Sequence, residues 1–342
     1  MCTGIRTLVK NNEDKNEATF FSRTLEFGID VKSEIVFKSN SDENKYDYIG
    51  FDVLGSKKLI EGCNEEGLYV GAFYFPGYAE YPKESDAKVC VSSIDFVDYC
   101  LSNCSSVEEV KDKLEQKEVD IISEDWAPLA DAFNKVCDEK KDAFAPPLHW
   151  IMIDKSGETY VLEYTKNGRL LKNNSYGVFT NSPDFEWMCT NIRNYASLSP
   201  FNDNKAIEIF NQKINNFGQG AGMMGLPGDF TPPSRFIRAL ALSSTAKPVK
   251  SKKDALNLAW HLIDNFDISK GNALVKDTPC NVDNTQWVSV YDINEAKIYF
   301  RDYNNPVIRE ISLSEVKNQC CSSEVSFSID SGEPKFQKFI SK

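Results

Sequence analysis

MCTGIRTLVKNNEDKNEATFFSRTLE, residues 1–26, is the stretch whose reading decides the fold. Residues 2–9 form a short apolar run, 11–17 are polar and turn-rich, and 18–26 form a second apolar run. Two such runs around a polar connector predict a β-hairpin at the head of the chain. The same stretch carries the most distinctive chemistry. Cys2 follows the initiator Met1, and methionine is removed readily before a small residue, so the mature chain is expected to begin with cysteine. One residue then offers a thiol and a free α-amine. The ordinary pKa of that amine, about 7.7–8.0, leaves a neutral fraction able to take the thiol proton. Arg23, on the second strand, is placed to lie beside Cys2 and to stabilise a thiolate there. Glu26, three residues on, is an acidic partner for an N-terminal ammonium. Met-Cys alone says little, because small residues at position 2 are common; the remaining segments decide.

Working outward, strands are expected at 34–37, 48–54 and 68–75, with a turn across 62–67 before the last. Helical periodicity begins near Ser93, with Ile94, Val97 and Leu101 on one face. A new helix starts at Ser106, whose hydroxyl makes a capping box with Glu109 over the buried stripe Val107, Val110 and Leu114. Strands return at 148–154, 159–164, 169–171 and 176–180. Helices are expected at 187–198, 205–214, 234–243 and 253–266, and a last hairpin at 285–291 and 297–303. No repeat, low-complexity tract or linker divides the chain, so one domain over 1–342 is expected. Strands at both ends enclosing helices fit two packed sheets with helices outside.

The composition narrows the function classes. Hydrophobic residues make up 41% and charged residues 26% of the 342, ordinary globular usage that excludes a disordered or fibrous chain. A formal net charge of -12 repels nucleic acid and anionic membranes, and no basic run overrides it. No apolar run is long enough to span a bilayer, and the first twenty residues lack a signal-peptide core, which reads as a cytoplasmic protein. Most of the ten cysteines in a chain of this size read as small buried hydrophobes rather than a disulfide framework. With only two histidines and no C-x-x-C, no metal site and no cofactor are expected.

Two later segments join the site. Asn181, at a strand end in Thr180-Asn-Ser-Pro183, can offer a side-chain amide to an oxyanion; the alternative is a turn asparagine. The glycine-rich run 218–229 lacks the Lys-Ser/Thr of a phosphate-binding loop and reads as a flexible lead into Thr231-Pro-Pro-Ser-Arg235, a helix start with prolines in its first turn. Arg235 and Arg238 project from nearby positions on that helix.

Together, Met1-Cys-Thr-Gly-Ile5, Ser22-Arg-Thr-Leu-Glu26, Asn64-Glu-Glu-Gly-Leu68, Phe75-Pro76, Leu148-His-Trp150, Thr180-Asn-Ser-Pro183 and Gly225-Leu-Pro-Gly-Asp-Phe-Thr-Pro-Pro-Ser-Arg-Phe236 resemble the choloylglycine hydrolase family. These are the bile salt hydrolases and penicillin V acylases of the N-terminal nucleophile hydrolases. The resemblance implies an α+β fold, a four-layer αββα sandwich of two antiparallel sheets. It implies that Cys2 attacks a linear amide carbonyl to form an acyl-thioester, with Arg23 beside the sulfur, Asn181 in the oxyanion hole and Arg235 near the reacting centre. It also implies a small-molecule N-acyl amide substrate and a homotetramer. Two positions depart from the bile-salt pattern. Glu26 stands where many members have Asp, and Tyr74 stands where bile salt hydrolases typically carry Asn. Tyrosine there looks like the penicillin V acylases and makes the pocket more aromatic. The expected substrates are therefore N-acyl small molecules with apolar or aromatic acyl groups, penicillin V among them. Conjugated bile salts and N-acyl homoserine lactones are the alternatives on the same site.

Two other classes fit these residues less well. A non-enzymatic acyl-ligand binder on the same fold is expected to lack Cys2, Arg23 or Asn181, and all three are present. A Cys–His enzyme needs one of the two histidines, but His149 sits in the apolar run 148–153 and His261 reads as helix packing.

Overall fold

The opening hairpin forms as read. In a computed structural model, which describes residues 1–40, 42, 45–137, 140–202, 206–274, 282–320, 322–330, 332 and 334, strand Cys2–Lys10 pairs antiparallel with strand Asn16–Phe27. Cys2 stands opposite Leu25 and Gly4 opposite Arg23. The connector is closed by Asn11, whose side-chain oxygen accepts from the amides of Glu13 and Lys15 at 2.9 and 3.0 Å. Gly4 is required by the packing: a Cβ there would lie 2.3 Å from the Phe21 ring and 3.1 Å from Phe73.

Around this hairpin grows the first sheet, in the order Val178–Phe179, Cys2–Lys10, Asn16–Phe27, Val282–Asp292, Lys297–Asp302, Arg309–Ser312, with Ala273–Leu274 also on Val282–Asp292. The second sheet has the order Gly168–Asn173, Thr159–Thr165, Leu148–Asp154, Leu68–Tyr74, Leu59–Asn64, Tyr48–Asp52, Glu34–Lys38, Glu324–Ser328. All pairings within both sheets are antiparallel.

Aromatic residues join the sheets face to face. Phe51 stacks on Trp287 at 4.3 Å and 16°, Phe21 meets Tyr69 at 4.8 Å, and Tyr69 meets Tyr291 at 4.9 Å. Helices Pro232–Thr245 and Lys252–Ile263 cover the outer face of the first sheet; helix Phe96–Asn103 covers the second. The result is the αββα sandwich, and its inner faces position the site.

Several elements differ from the sequence reading. Residues 205–214 were expected to be helical. Lys205 lies outside the described residues, and the rest forms a hairpin of strands Ile207–Ile209 and Gln212–Ile214. Ile207, Phe210 and Ile214 match a helical period, but Phe210 and Asn211 take φ of 50° and 59°, the backbone of a two-residue hairpin turn. The stretch read as a turn at 62–67 begins inside a buried strand, Leu59–Asn64. Helix Ala127–Val136, with Pro128 in its first turn, lies in a stretch for which no element was expected. The helix at 187–198 is Phe185–Asn191, capped by Asp184, followed by the 3-10 turn Ile192–Tyr195. In the box at Ser106, the hydroxyl accepts from Glu109 N as read, but the Glu109 carboxylate takes the amide and hydroxyl of Ser105. Cys63, Cys100 and Cys104 are buried and free, whereas Cys137 is disulfide-bonded, against the expectation of reduced cysteines.

Candidate active site

Cys2 opens the first strand with 3% of its surface exposed, and its sulfur faces the space between the sheets. The register that sets Arg23 opposite Gly4 brings its guanidinium into the same space, where Nη2 donates to Cys2 Sγ at 3.4 Å. Arg23 is fully buried and held by both terminal nitrogens, while its Nε has no hydrogen-bond partner among the described residues. Nη2 also donates to Ala72 O at 2.7 Å, Nη1 to Ile60 O at 3.2 Å and to Glu61 Oε2 at 3.3 Å, and the Phe73 ring lies 4.3 Å below. Burial lowers its pKa, but the charges of Cys2, Glu61 and Tyr69 outweigh this and raise it, so the group is a fixed cation beside the sulfur.

Glu61 was not singled out in the sequence. It is fully buried on strand Leu59–Asn64, and it accepts from Tyr69 Oη at 2.7 Å and Ser289 Oγ at 2.7 Å as well as from Arg23. Burial pushes its carboxyl up and Arg23 opposes that; three donors converging on two oxygens are the surroundings of a carboxylate. The signal was a lone charge inside the apolar run Leu59-Ile-Glu-Gly-Cys63, hidden by the glycines that made it look like a turn.

On the other side of Cys2 stand Asn181 and Arg235. The Cys2 backbone nitrogen donates to Asn181 Oδ1 at 2.7 Å, and Arg235 Nη2 donates to the same oxygen at 2.8 Å. Two donors on Oδ1 settle the amide orientation. Asn181 Nδ2 donates to Tyr74 O at 2.7 Å and carries a second N–H. Arg235, buried on helix Pro232–Thr245, also donates from Nη1 to Cys2 O and to Thr3 Oγ1, and from Nε to Phe230 O at 2.9 Å. Burial lowers its pKa, countered by Glu26 and Cys2. Arg238 serves the loop instead, donating to Pro227 O and Asp229 O, which fastens the end of the glycine-rich run.

Glu26 is buried behind Cys2. Its Oε1 accepts from Thr285 Oγ1 at 2.7 Å, its Oε2 has no hydrogen-bond partner among the described residues, and its main-chain oxygen accepts from the Met1 amine. Burial raises its pKa, while Arg235 and the terminal ammonium pull it down. Tyr74 is half-buried and meets the Phe27 ring edge-on at 5.2 Å and 89°. Cys2, Arg23, Glu26 and Tyr74 border a narrow apolar recess of about 50 Å³ walled by Leu25, Val31, Ile60, Trp126 and Leu129. A second recess of about 220 Å³ is bordered by Met1, Tyr74, Asn181, Lys141 and Asp283. A larger depression of about 750 Å³ around Lys270 and Tyr303 includes neither Cys2 nor Arg23. Among the described residues no cluster of His, Cys, Asp and Glu is arranged to hold a metal, and no helix is long and apolar enough to cross a membrane.

This geometry can be set beside known proteins. The sequence model of the choloylglycine hydrolase family of linear amide C–N hydrolases matches residues 2–327. The chain is 30% identical over 331 residues to the bile salt hydrolase/transferase of Clostridium perfringens (strain 13 / Type A), a match covering 92% of this chain and 93% of that protein. In structure it is similar to the C2A mutant of the conjugated bile acid hydrolase from Clostridium perfringens, with a TM-score of 0.81, 25% identity and 99% of each chain covered. It shares its fold with the penicillin V acylase from Agrobacterium tumefaciens, with a TM-score of 0.67, 20% identity, and 92% of this chain and 87% of that one covered.

Proposed function

Because the chain belongs to the choloylglycine hydrolase family and is a linear amide C–N hydrolase, we propose that it cleaves N-acyl small molecules through Cys2, its N-terminal residue once Met1 is removed. The observation that carries this reading is the buried Arg23 cation at 3.4 Å from the Cys2 sulfur. The Cys2 nitrogen, now held by Asn181 Oδ1, becomes the α-amine at that same place and takes the thiol proton. Sulfur attacks the amide carbonyl carbon, and the oxyanion accepts from the second N–H of Asn181. Collapse breaks the C–N bond, and the Cys2 ammonium protonates the departing amine. Water, deprotonated by the same amine, then releases the acid from the thioester. Arg235 fixes Cys2 O and Asn181 in this arrangement, and Glu26 supplies a negative charge behind the ammonium.

The acyl group is taken to lie against the apolar lining beside Cys2, where Trp126, Leu129 and Tyr74 favour apolar and aromatic groups of the penicillin V type. A second reading, conjugated bile salts, is favoured by the names of the relatives at about 30% identity. Intact-mass analysis followed by a panel of penicillin V, glycine- and taurine-conjugated bile salts and acyl homoserine lactones separates them. Loss of Met1 and fastest turnover of penicillin V are expected. Full activity in a preparation that retains Met1 removes the α-amine as base.

The functional unit is taken as one domain over 1–342 and as a homotetramer. Support for assembly comes from the hairpin 207–214 and its flanks, where Phe201 is 79% and Phe210 97% exposed and Phe217 and Met224 are also bare. Bare apolar side chains this close in the chain support a contact with another chain. Phe210→Asp with Phe217→Asp is expected to shift the sedimentation profile from tetramer toward smaller species while each site keeps its kcat. An unchanged profile places the contact elsewhere. A cytoplasmic location is part of the same reading, supported by the free Cys63, Cys100 and Cys104 and opposed by the bonded Cys137.

A further inference from the structure

We propose that His149, which does not contact Cys2, is a positioning residue for the acyl-transfer step. It holds in register the two chain segments that carry Tyr74 and Asn181. This inference rests on the Cys2 mechanism proposed above.

His149 lies on strand Leu148–Asp154, opposite Phe73, with 1% of its surface exposed. Its Nε2 is 3.0 Å from Thr180 O and its Nδ1 2.9 Å from Glu163 Oε1. A carbonyl only accepts, so Nε2 carries a proton and the ring bridges main chain to carboxyl. Thr180 immediately precedes Asn181, so the peptide held by His149 is the one from which the oxyanion amide projects. Glu163 is fixed in turn, because both its oxygens accept from Phe185 N, at 3.2 and 3.0 Å, on the far side of the Thr180-Asn-Ser-Pro183 turn. The ring faces complete the clamp. One stacks on Phe75 at 4.1 Å and 7°, and the other meets Phe179 at 4.3 Å. Phe75 directly follows Tyr74, whose carbonyl accepts from Asn181 Nδ2.

Thus one side chain touches the neighbour of Tyr74 and both residues before Asn181. A phenylalanine would fill the same stacked slot but leave Thr180 O and Glu163 Oε1 without their partners on the ring. Replacing a whole buried polar pair by apolar groups is often neutral for stability, so the His149–Glu163 pair is better explained by the direction it imposes. Small errors in that direction matter: a displacement of about 1 Å at a reacting group costs about 100-fold in rate.

The test uses the full-length enzyme with Met1 removed and its best amide substrate, with Cys2 titrated by iodoacetamide to count intact sites. His149→Phe keeps the stack and loses both hydrogen bonds. It is expected to lower kcat per titrated site by about 100-fold, with KM changed less than about 3-fold. His149→Gln is expected to fall between this variant and wild type. Glu163→Gln added to His149→Gln lets one amide donate to the other, and is expected to recover much of the kcat lost by His149→Gln alone. The inference is overturned if titrated His149→Phe and His149→Gln turn over at the wild-type rate. It is equally overturned if the loss lies wholly in KM, or if the double variant is additive. Should His149→Phe not fold, the two glutamine variants still decide. A wild-type enzyme that hydrolyses the amide after complete Cys2 alkylation sinks the underlying mechanism instead, a separate and recognisable failure.

Discussion

Replacing Cys2 with alanine is expected to abolish amide hydrolysis while leaving the fold in place. Removal of an attacking side chain from a catalytic unit lowers kcat on the order of 10⁶-fold, because the groups that remain have nothing to activate. Structurally the change is small. Cys2 contributes one sulfur to the space between the sheets, and that sulfur accepts a single long hydrogen bond, from Arg23. Arg23 keeps Ala72 O, Ile60 O and Glu61, and the Cys2 main chain keeps Asn181 and Arg235. Stability is therefore expected to drop by about 1 kcal/mol, near the centre of the distribution for point substitutions. Measured kcat beside a denaturant midpoint checks both halves. A Cys2→Ala variant with wild-type turnover removes the nucleophile assignment, and one that fails to fold shows that the residue is structural.

How much of this was visible in the sequence depends on how local each feature is. The hairpin over the first 27 residues was legible because its two strands adjoin in the chain and its connector closes on Asn11. Helix Pro232–Thr245 was legible from its prolines, and its Arg235 through the resemblance. The meeting of Cys2, Asn181 and Arg235 spans 233 positions, and nothing in periodicity encodes such a contact; only family likeness made it foreseeable. Glu61 was missed because Gly62 and Gly67 read as turn signals. In the sheet, glycine serves close approach instead: a Cβ at the facing Gly50 would lie 2.0 Å from Glu61 O. The 207–214 hairpin was misread because Ile207, Phe210 and Ile214 fit a helical period, whereas what decides the turn is the positive φ of Phe210 and Asn211. His149 was legible as buried, but its role depends on Thr180 and Glu163, which meet it only through the sheet and the turn.

Arg23 ties stability and chemistry together, and the second large effect is expected there. Arg23→Met removes the cation beside the sulfur and leaves Glu61 charged and fully enclosed. Breaking a buried pair from one side costs about 3–5 kcal/mol, because the remaining charge has lost its partner and cannot reach water. Glu61→Gln alone leaves the cation in place without its buried counter-charge, and a similar loss is expected. The two changes together leave no buried charge, and the amide can still bond the Tyr69 and Ser289 hydroxyls. Much of the stability lost by Arg23→Met is therefore expected to return, a coupling that a double-mutant cycle in denaturant reads directly. Activity is expected to follow a different pattern. Both variants lacking Arg23 lose the charge that stabilises a negative sulfur, so iodoacetamide alkylation of Cys2 and kcat are expected to fall by about 10²–10³-fold, as for other preorganised charges. Recovery of stability without recovery of alkylation identifies Arg23 as the counter-ion of the sulfur and Glu61 as the counter-ion of Arg23. If alkylation recovers in step with stability, Arg23 is a structural residue and the sulfur is activated by something else.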